Sequence, residues 1–297
     1  MIITRLSGGL GNQMFQYAAG RRIAWANRTH LKLDISNYEY DKVRSYRLGY
    51  FNIIEDLASP EEIDRLTHIH KKNGMNRIYR WAEQWIPVQR RTWIKERTLY
   101  FDPDVLKISG NAFIEGNWAS EKYFVDITEI IRQEFTLKND LSAFSKSIST
   151  HIQETESVSL HIRRGDYVSS PGVSQRFGFL GLDYYSSAIA RLVESVKHPT
   201  FFVFSDDIAW VKENLAMECP VEYISRENGE MEYEDLALMR KCKHHIIANS
   251  TFSWWGAWLG ENQNKIVIAP QRWYSDPDFA AQTKNLEDFI PSTWCRV

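Results

Sequence analysis

Apolar and polar positions change period along this chain, and the changes predict strands alternating with helices. Residues 1–6 are a short β-prone run, residues 8–11 a glycine-rich turn, and then Met14, Tyr17, Ala18 and Ile23 fall on one helical face that continues to about residue 27. Residues 31–35 alternate as a strand that carries Asp34 at its end, which completes a first βαβ unit. The stretch 55–110 is richer in Arg, Lys, Trp and Glu and is the least readable, with helical patterns at 60–70 and 75–85. Beyond residue 155 apolar runs at 158–162, 201–204, 245–248 and 265–269 each end in a polar cluster. Helical periodicity fills 183–196, 209–215 and 234–241 between them. The alternation predicts an α/β chain with parallel sheets, and the change of pattern at 138–156 predicts domains at 1–150 and 151–297.

Length agrees, because 297 residues exceed one minimal core and fall short of three ordinary domains. Hydrophobic residues at 43% and charged residues at 25% describe a globular chain. No stretch reaches the roughly 18 consecutive apolar residues of a membrane helix, so no stable membrane insertion is expected. Lys plus Arg at 36 against Asp plus Glu at 38 leaves a net charge of -2, which argues against nucleic acid and for small anions as ligands. Cys219, Cys242 and Cys295 share no CxxC spacing and suggest neither a disulfide framework nor a zinc ribbon. With no basic-then-apolar leader at Met1, a cytoplasmic location is expected, and the Asn-x-Thr patterns at Asn27 and Asn249 are discounted as glycosylation sites.

In parallel sheets ligands sit beyond the carboxyl ends of the strands, which here carry three polar clusters. The first, His161-Ile162-Arg163-Arg164-Gly165-Asp166, offers paired guanidinium forks suited to phosphate oxygens. Neighbouring side chains diverge on extended backbone, so Arg163 is expected to face the ligand and Arg164 to tie down the loop, through Asp166. The second, Ser205-Asp206-Asp207, reads as a metal pair, as a carboxylate for a guanine edge, or as the cap of the next helix. The third, Asn249-Ser250-Thr251-Phe252-Ser253, opens a helix whose amides and hydroxyls would form a second phosphate contact, or merely a cap.

Gly9 and Gly11, with Asp34 about 20 residues on, resemble half of a dinucleotide fingerprint, although Met14 stands in the place of its third glycine. That pattern keeps a nicotinamide-dependent oxidoreductase as an alternative; otherwise the turn, with Asn12 and Gln13, would close over a ligand at the mouth of a domain cleft. Asp102-x-Asp104 and Asp276-x-Asp278 enclose prolines and read as turns rather than metal sites. Cys242, His244 and His245 read as packing. The tryptophans and tyrosines also suit a non-catalytic carbohydrate-binding protein, although such a protein has no need of paired arginines at a strand end.

Five segments together resemble glycosyltransferase family 11, the α-1,2-fucosyltransferases. They are Gly8 through Ala18 (GGLGNQMFQYA), Trp118 through Phe124 (WASEKYF), His161 through Val168 (HIRRGDYV), Asp183-Tyr184-Tyr185, and Asn249 through Trp258 (NSTFSWWGAW). The resemblance implies a GT-B-like fold of two Rossmann-type domains whose parallel sheets face a cleft. It also implies a GDP-fucose donor, no required metal or other cofactor, inversion at the fucose anomeric carbon, and a galactose-terminated oligosaccharide or glycolipid acceptor. Carried to this chain, it sets Arg163 on the β-phosphate, His161 near the guanosine, Asp206 or Asp207 on guanine, and Thr251, Phe252 and Ser253 at the diphosphate and base. It transfers no general base. Asp166, beside the arginine that meets the reacting bond, is the candidate, with Asp183 and Glu121 as alternatives. A lipid-linked acceptor would imply a peripheral seat at the inner membrane face.

Overall fold

Two all-parallel sheets organise the chain, one in each of two units, Met1–Lys138 and Asn139–Val297. The computed structural model describes residues 1–67, 85–169, 171–225, 231–276 and 286–297, and of residues 166, 169, 171, 173 and 286 the backbone alone. The division falls at 138/139, ahead of residue 150, and the helix that the expected 1–150 range would cut packs its Ile148 and Ile152 into the second unit's core.

The first unit contains β1 (Ile2–Arg5), α1 (Leu10–Ala26), β2 (Leu31–Asp34), α2 (Pro60–Thr67), β3 (Trp93–Lys95), β4 (Ala112–Glu115) and α3 (Thr128–Glu134). Its sheet order is β2-β1-β4-β3. Helix α1 is buried around most of its circumference, which is why Gly11, Gln13 and Gln16 are as enclosed as Met14 and Phe15. The expected helix at 60–70 begins as predicted; its end and nearly all of the one at 75–85 lie outside the described residues. Strands β3 and β4 were not legible in the apolar pattern, being only 3 and 4 residues long, β3 inside the charged stretch and β4 just past its end.

The second unit runs α4 (Ala143–Glu154), β5 (Glu156–Ile162), α5 (Gly165–Ser169), α6 (Pro171–Arg176), α7 (Gly181–Val193), β6 (Pro199–Ser205), α8 (Ile208–Asn214), β7 (Val221–Ile224), α9 (Glu232–Lys241), β8 (His244–Ile246), α10 (Thr251–Leu259), β9 (Val267–Ala269), α11 (Leu286–Phe289) and β10 (Cys295–Arg296). The order β10-β9-β8-β5-β6-β7 puts the strongest apolar runs, β5 and β6, among the inner strands. Both of their faces are covered, so they read as continuous apolar runs. Val158, Leu160, Ile162, Phe201 and Val203 pack with Tyr185, Leu192 and Val211 on one side. Phe202 and Phe204 pack with Ile148, Ile152, Leu238 and Met239 on the other. Among the described residues no helix is long and apolar enough to cross a membrane.

Candidate functional site

Strand pairing alone brings two of the polar clusters together. Ile162 lies opposite Ser205 in the β5–β6 ladder, so the chain leaves both strands side by side with Arg163-Arg164 next to Asp206-Asp207. Asp206 holds both arginines: Oδ2 is 3.0 Å from the Arg163 guanidinium, and Oδ1 accepts the Arg164 backbone N–H at 2.9 Å. Arg164 pairs with Asp207 and lies 4.5 Å over the Trp210 ring. Asp207 also accepts the Trp210 N–H at 3.2 Å, which makes it the N-cap of α8. Arg164 is thus tied down as expected, but through Asp207; the Asp166 side chain lies outside the described residues, and its backbone sits in the first turn of α5.

These four side chains are 23–30% exposed, partly shielded yet open to a ligand. Arg163 also lies 5.7 Å over the Tyr167 ring. A Cβ at Gly165 would fall 2.6 Å from Asp206 Oδ2, a distance real atoms do not tolerate. Gly165→Ala therefore pushes Asp206 away and releases its hold on Arg163. We expect kcat to fall about 10- to 100-fold with little change in Tm, read by steady-state kinetics and thermal melts.

The third cluster adjoins the first because β8 pairs with β5 on its other edge. Ser250 caps α10 by accepting the Phe252 N–H at 3.3 Å, and the first-turn amides carry the positive end of the helix dipole. The Phe252 ring lies 5.6 Å from the His161 ring, which fixes that helix end beside the end of β5. His161 is buried, and burial, reinforced by the Arg163 charge, holds its imidazole well below the ordinary range, so it is neutral at pH 7.

Asn249 is a brace rather than an exposed donor contact. It is 1% exposed, and its Nδ2 donates to the carbonyls of Phe177, Gly178 and Trp273 at 3.1–3.2 Å. Tyr167 donates to the Asn249 carbonyl at 2.8 Å, drawing α5 onto the same point. One asparagine thereby gathers three loops around the strand ends.

In the first unit the glycine-rich turn is built as a tight corner. Gly8 has φ +75°, the left-handed region that glycine fills without penalty, and Gly9 precedes α1 without a side-chain cap. Asn12 lies against Gly8, Gly11 is buried within α1, and Gln13 is a clamp. Its Nε2 donates to the carbonyls of Gly8 and Ser45 at 3.1 and 2.9 Å, and its Oε1 accepts the Arg47 N–H at 2.9 Å. Asp34, which a dinucleotide site needs for a ribose hydroxyl, is 1% exposed and accepts from Arg5 Nε and Ser36 N at 2.9 and 3.0 Å. That engagement removes the support for the nicotinamide reading.

Asp102 Oδ1 accepts the Asp104 N–H at 2.9 Å in a turn, and Asp278 lies outside the described residues. Cys242 is buried, and His244 pairs with Glu156 at 3.1 Å. Asp183 is in the first turn of α7 and Glu121 in a short 3-10 turn.

One carboxylate escaped the sequence reading. Glu96, directly after β3, accepts the N–H groups of Asn117 and Trp118 at 2.6 and 3.1 Å. Burial outweighs those two donors and pushes its pKa up to about 7. An acidic residue following a strand was the available signal, but a three-residue strand carries too little periodicity to be seen.

Two units each built on a parallel sheet, with a guanidinium and a helix N-terminus at the strand ends of the second, form a GT-B-like α/β fold with a candidate anion site. Among solved structures the chain is similar to the fucosyltransferase NodZ from Bradyrhizobium, with a TM-score of 0.50 and 13% identity, over 86% of this chain and 91% of that one. That likeness shows the fold alone. Residues 65–295 match the sequence family Glycosyl transferase family 11. The chain is 35% identical to an alpha-1,2-colitosyltransferase of Escherichia coli over 100% of its own length and 99% of the relative's. It is 29% identical to galactoside alpha-(1,2)-fucosyltransferase 1 of Leontocebus fuscicollis over 85% of this chain and 63% of that protein. The chain belongs to glycosyl transferase family 11.

Proposed function

We propose that this protein transfers fucose from GDP-β-L-fucose to the 2-hydroxyl of a terminal galactose, with inversion and without a bound metal. The observation that carries the reading is Arg163 beside the α10 N-terminus at adjoining strand ends. As the bond from the anomeric carbon to the β-phosphate breaks, negative charge gathers on the departing diphosphate. A fixed guanidinium and a helix dipole stabilise such charge without needing to reorganise. Arg163 binds the β-phosphate and Asp206 orients Arg163. Thr251, Phe252 and Ser253 present the helix end to the diphosphate, and neutral His161 supports the guanosine side without adding charge. The α-1,2 linkage in the names of two relatives supports attack by a 2-hydroxyl.

A second reading takes colitose as the transferred sugar, and the full-length match to a colitosyltransferase favours it. A donor screen separates the two. Purified protein is given GDP-fucose, GDP-colitose or NADH with lactose and related galactosides, with and without EDTA. The expected result is glycosyl transfer from a GDP-sugar at a rate EDTA leaves unchanged. Activity lost in EDTA and restored by Mg²⁺ or Mn²⁺ defeats metal independence; binding of NADH without GDP defeats the transferase reading.

A further inference from the structure

We propose that Tyr167 is a positioning residue of the donor site, the side chain that sets the spacing between Arg163 and the N-terminus of α10. The inference rests on the transferase reading above and adds to it the group that keeps the two halves of its anion site in register. Every residue it uses belongs to the second unit.

Tyr167 touches both halves. Gly165 opens α5, and the Arg164 carbonyl accepts the Val168 N–H at 3.0 Å, so the chain coils directly after the two arginines. That turn brings the residue four positions past Arg163 alongside it, and the Arg163 guanidinium lies 5.7 Å over the Tyr167 ring. At the far end of the same side chain, the hydroxyl donates to the Asn249 carbonyl at 2.8 Å in a buried contact. That carbonyl shares a rigid peptide plane with the Ser250 N–H. Pinning it fixes the plane from which Ser250, the N-cap of α10, presents its hydroxyl oxygen to the Phe252 N–H. One side chain with only two torsions to hold therefore spans the site, its ring against the guanidinium and its hydroxyl against the helix cap.

The ring is held in turn. Tyr167 is 9% exposed, and Phe177 stacks on it at a centroid distance of 5.5 Å with 16° between the planes. The Phe177 carbonyl accepts from Asn249 Nδ2 at 3.1 Å and from the Ser275 hydroxyl at 2.8 Å. Ring and hydroxyl thus lead to the same asparagine by two routes, a closed circuit in which any shift of Tyr167 is passed to the start of α10. A side chain that only filled space would need no hydroxyl, and phenylalanine would do. The bond to the residue before the cap gives the ring a second anchor, and with it a fixed distance from the guanidinium to the helix amides. A diphosphate depends on that distance more than a single phosphate does, because it engages both groups together.

The test compares wild type, Tyr167→Phe, Tyr167→Leu and Tyr184→Phe. It measures GDP and GMP affinity by calorimetry, thermal melting, and kcat and donor KM with GDP-fucose, GDP-colitose and lactose. Tyr184 is the control: its hydroxyl likewise donates to a backbone carbonyl, that of Ile247 at 2.6 Å, and among the described residues it forms no bond to Arg163 or Ser250. Tyr167→Phe is expected to narrow the preference for GDP over GMP about 10-fold, by weakening GDP and leaving GMP unchanged. Its kcat should fall about 10- to 100-fold. Tyr167→Leu loses the ring contact as well and falls further, so the ring kept in Tyr167→Phe rescues part of the rate. Tyr184→Phe should melt as early as Tyr167→Phe while its nucleotide preference and kcat stay at wild-type values. Equal loss of GDP and GMP affinity in Tyr167→Phe, or the same narrowing in Tyr184→Phe, indicates general loosening and overturns the assignment. So does a Tyr167→Phe variant with wild-type preference and kcat. If Tyr167→Leu fails to fold, the two phenylalanine variants still decide. A wild type that binds GDP but transfers neither sugar defeats the transferase reading alone, and the affinities then decide the role of Tyr167; a wild type that binds no GDP overturns both.

Discussion

Arg163→Ala is expected to lower kcat about 100- to 1000-fold while the protein remains folded, the loss typical of removing one preorganised donor from a developing anion. The side chain is 23% exposed and its ion pair with Asp206 is partly solvated, so its removal changes stability little. The deletion also leaves Asp206, still held by the Arg164 backbone N–H, without its guanidinium partner beside the proposed phosphate site, which adds repulsion to the lost attraction. Arg163→Lys should recover only part of the rate, because a point charge replaces a planar fork. Turnover with a galactoside and GDP affinity by calorimetry check the prediction. Near-normal kcat in Arg163→Ala would show that the diphosphate charge is met elsewhere.

Trp254→Ala should produce the other large effect, on stability, at a cost of about 3–5 kcal/mol. Trp254 is fully buried, with Trp255, Trp258, Phe289 and Trp294 around it at centroid distances of 5.1–6.1 Å. Its indole N–H donates to the Phe289 carbonyl at 2.9 Å, so truncation leaves both a cavity and a part-buried acceptor without that donor. Against a usual total of about 5–15 kcal/mol this is a large fraction, and the urea midpoint should fall accordingly. The same residue belongs to α10, whose first turn is the candidate phosphate contact, so activity should be lost at lower urea than in the wild type.

The second unit was legible because β5 and β6 are buried on both faces and therefore read as unbroken apolar runs that end abruptly in charge. Position at the end of β5 singled out the arginines, and position after β8 the Ser250 cap. One partner was not legible: Arg164 pairs with Asp207, at the end of the neighbouring strand. Register decides that pairing, and register follows from the pairing of strands separated by more than 40 residues, which no local pattern encodes. Asn249 and Gln13 looked like ligand contacts because both are polar residues in loops by glycine or hydroxyl clusters. Their buried amides instead satisfy backbone groups that those loops leave without partners. In the first unit Glu96 was hidden by short strands, since three residues barely complete one alternation.

The pairing of Ile162 with Ser205 sets a gauge on length. Successive residues in a strand point to opposite faces, so deleting one residue from β5 or β6 would turn the whole terminus over. Arg164 would then swing to the ligand side, and the aspartates would meet the wrong guanidiniums. Natural or engineered insertions in this half of the protein should therefore accumulate beyond the helices, leaving the residue count of these two strands untouched.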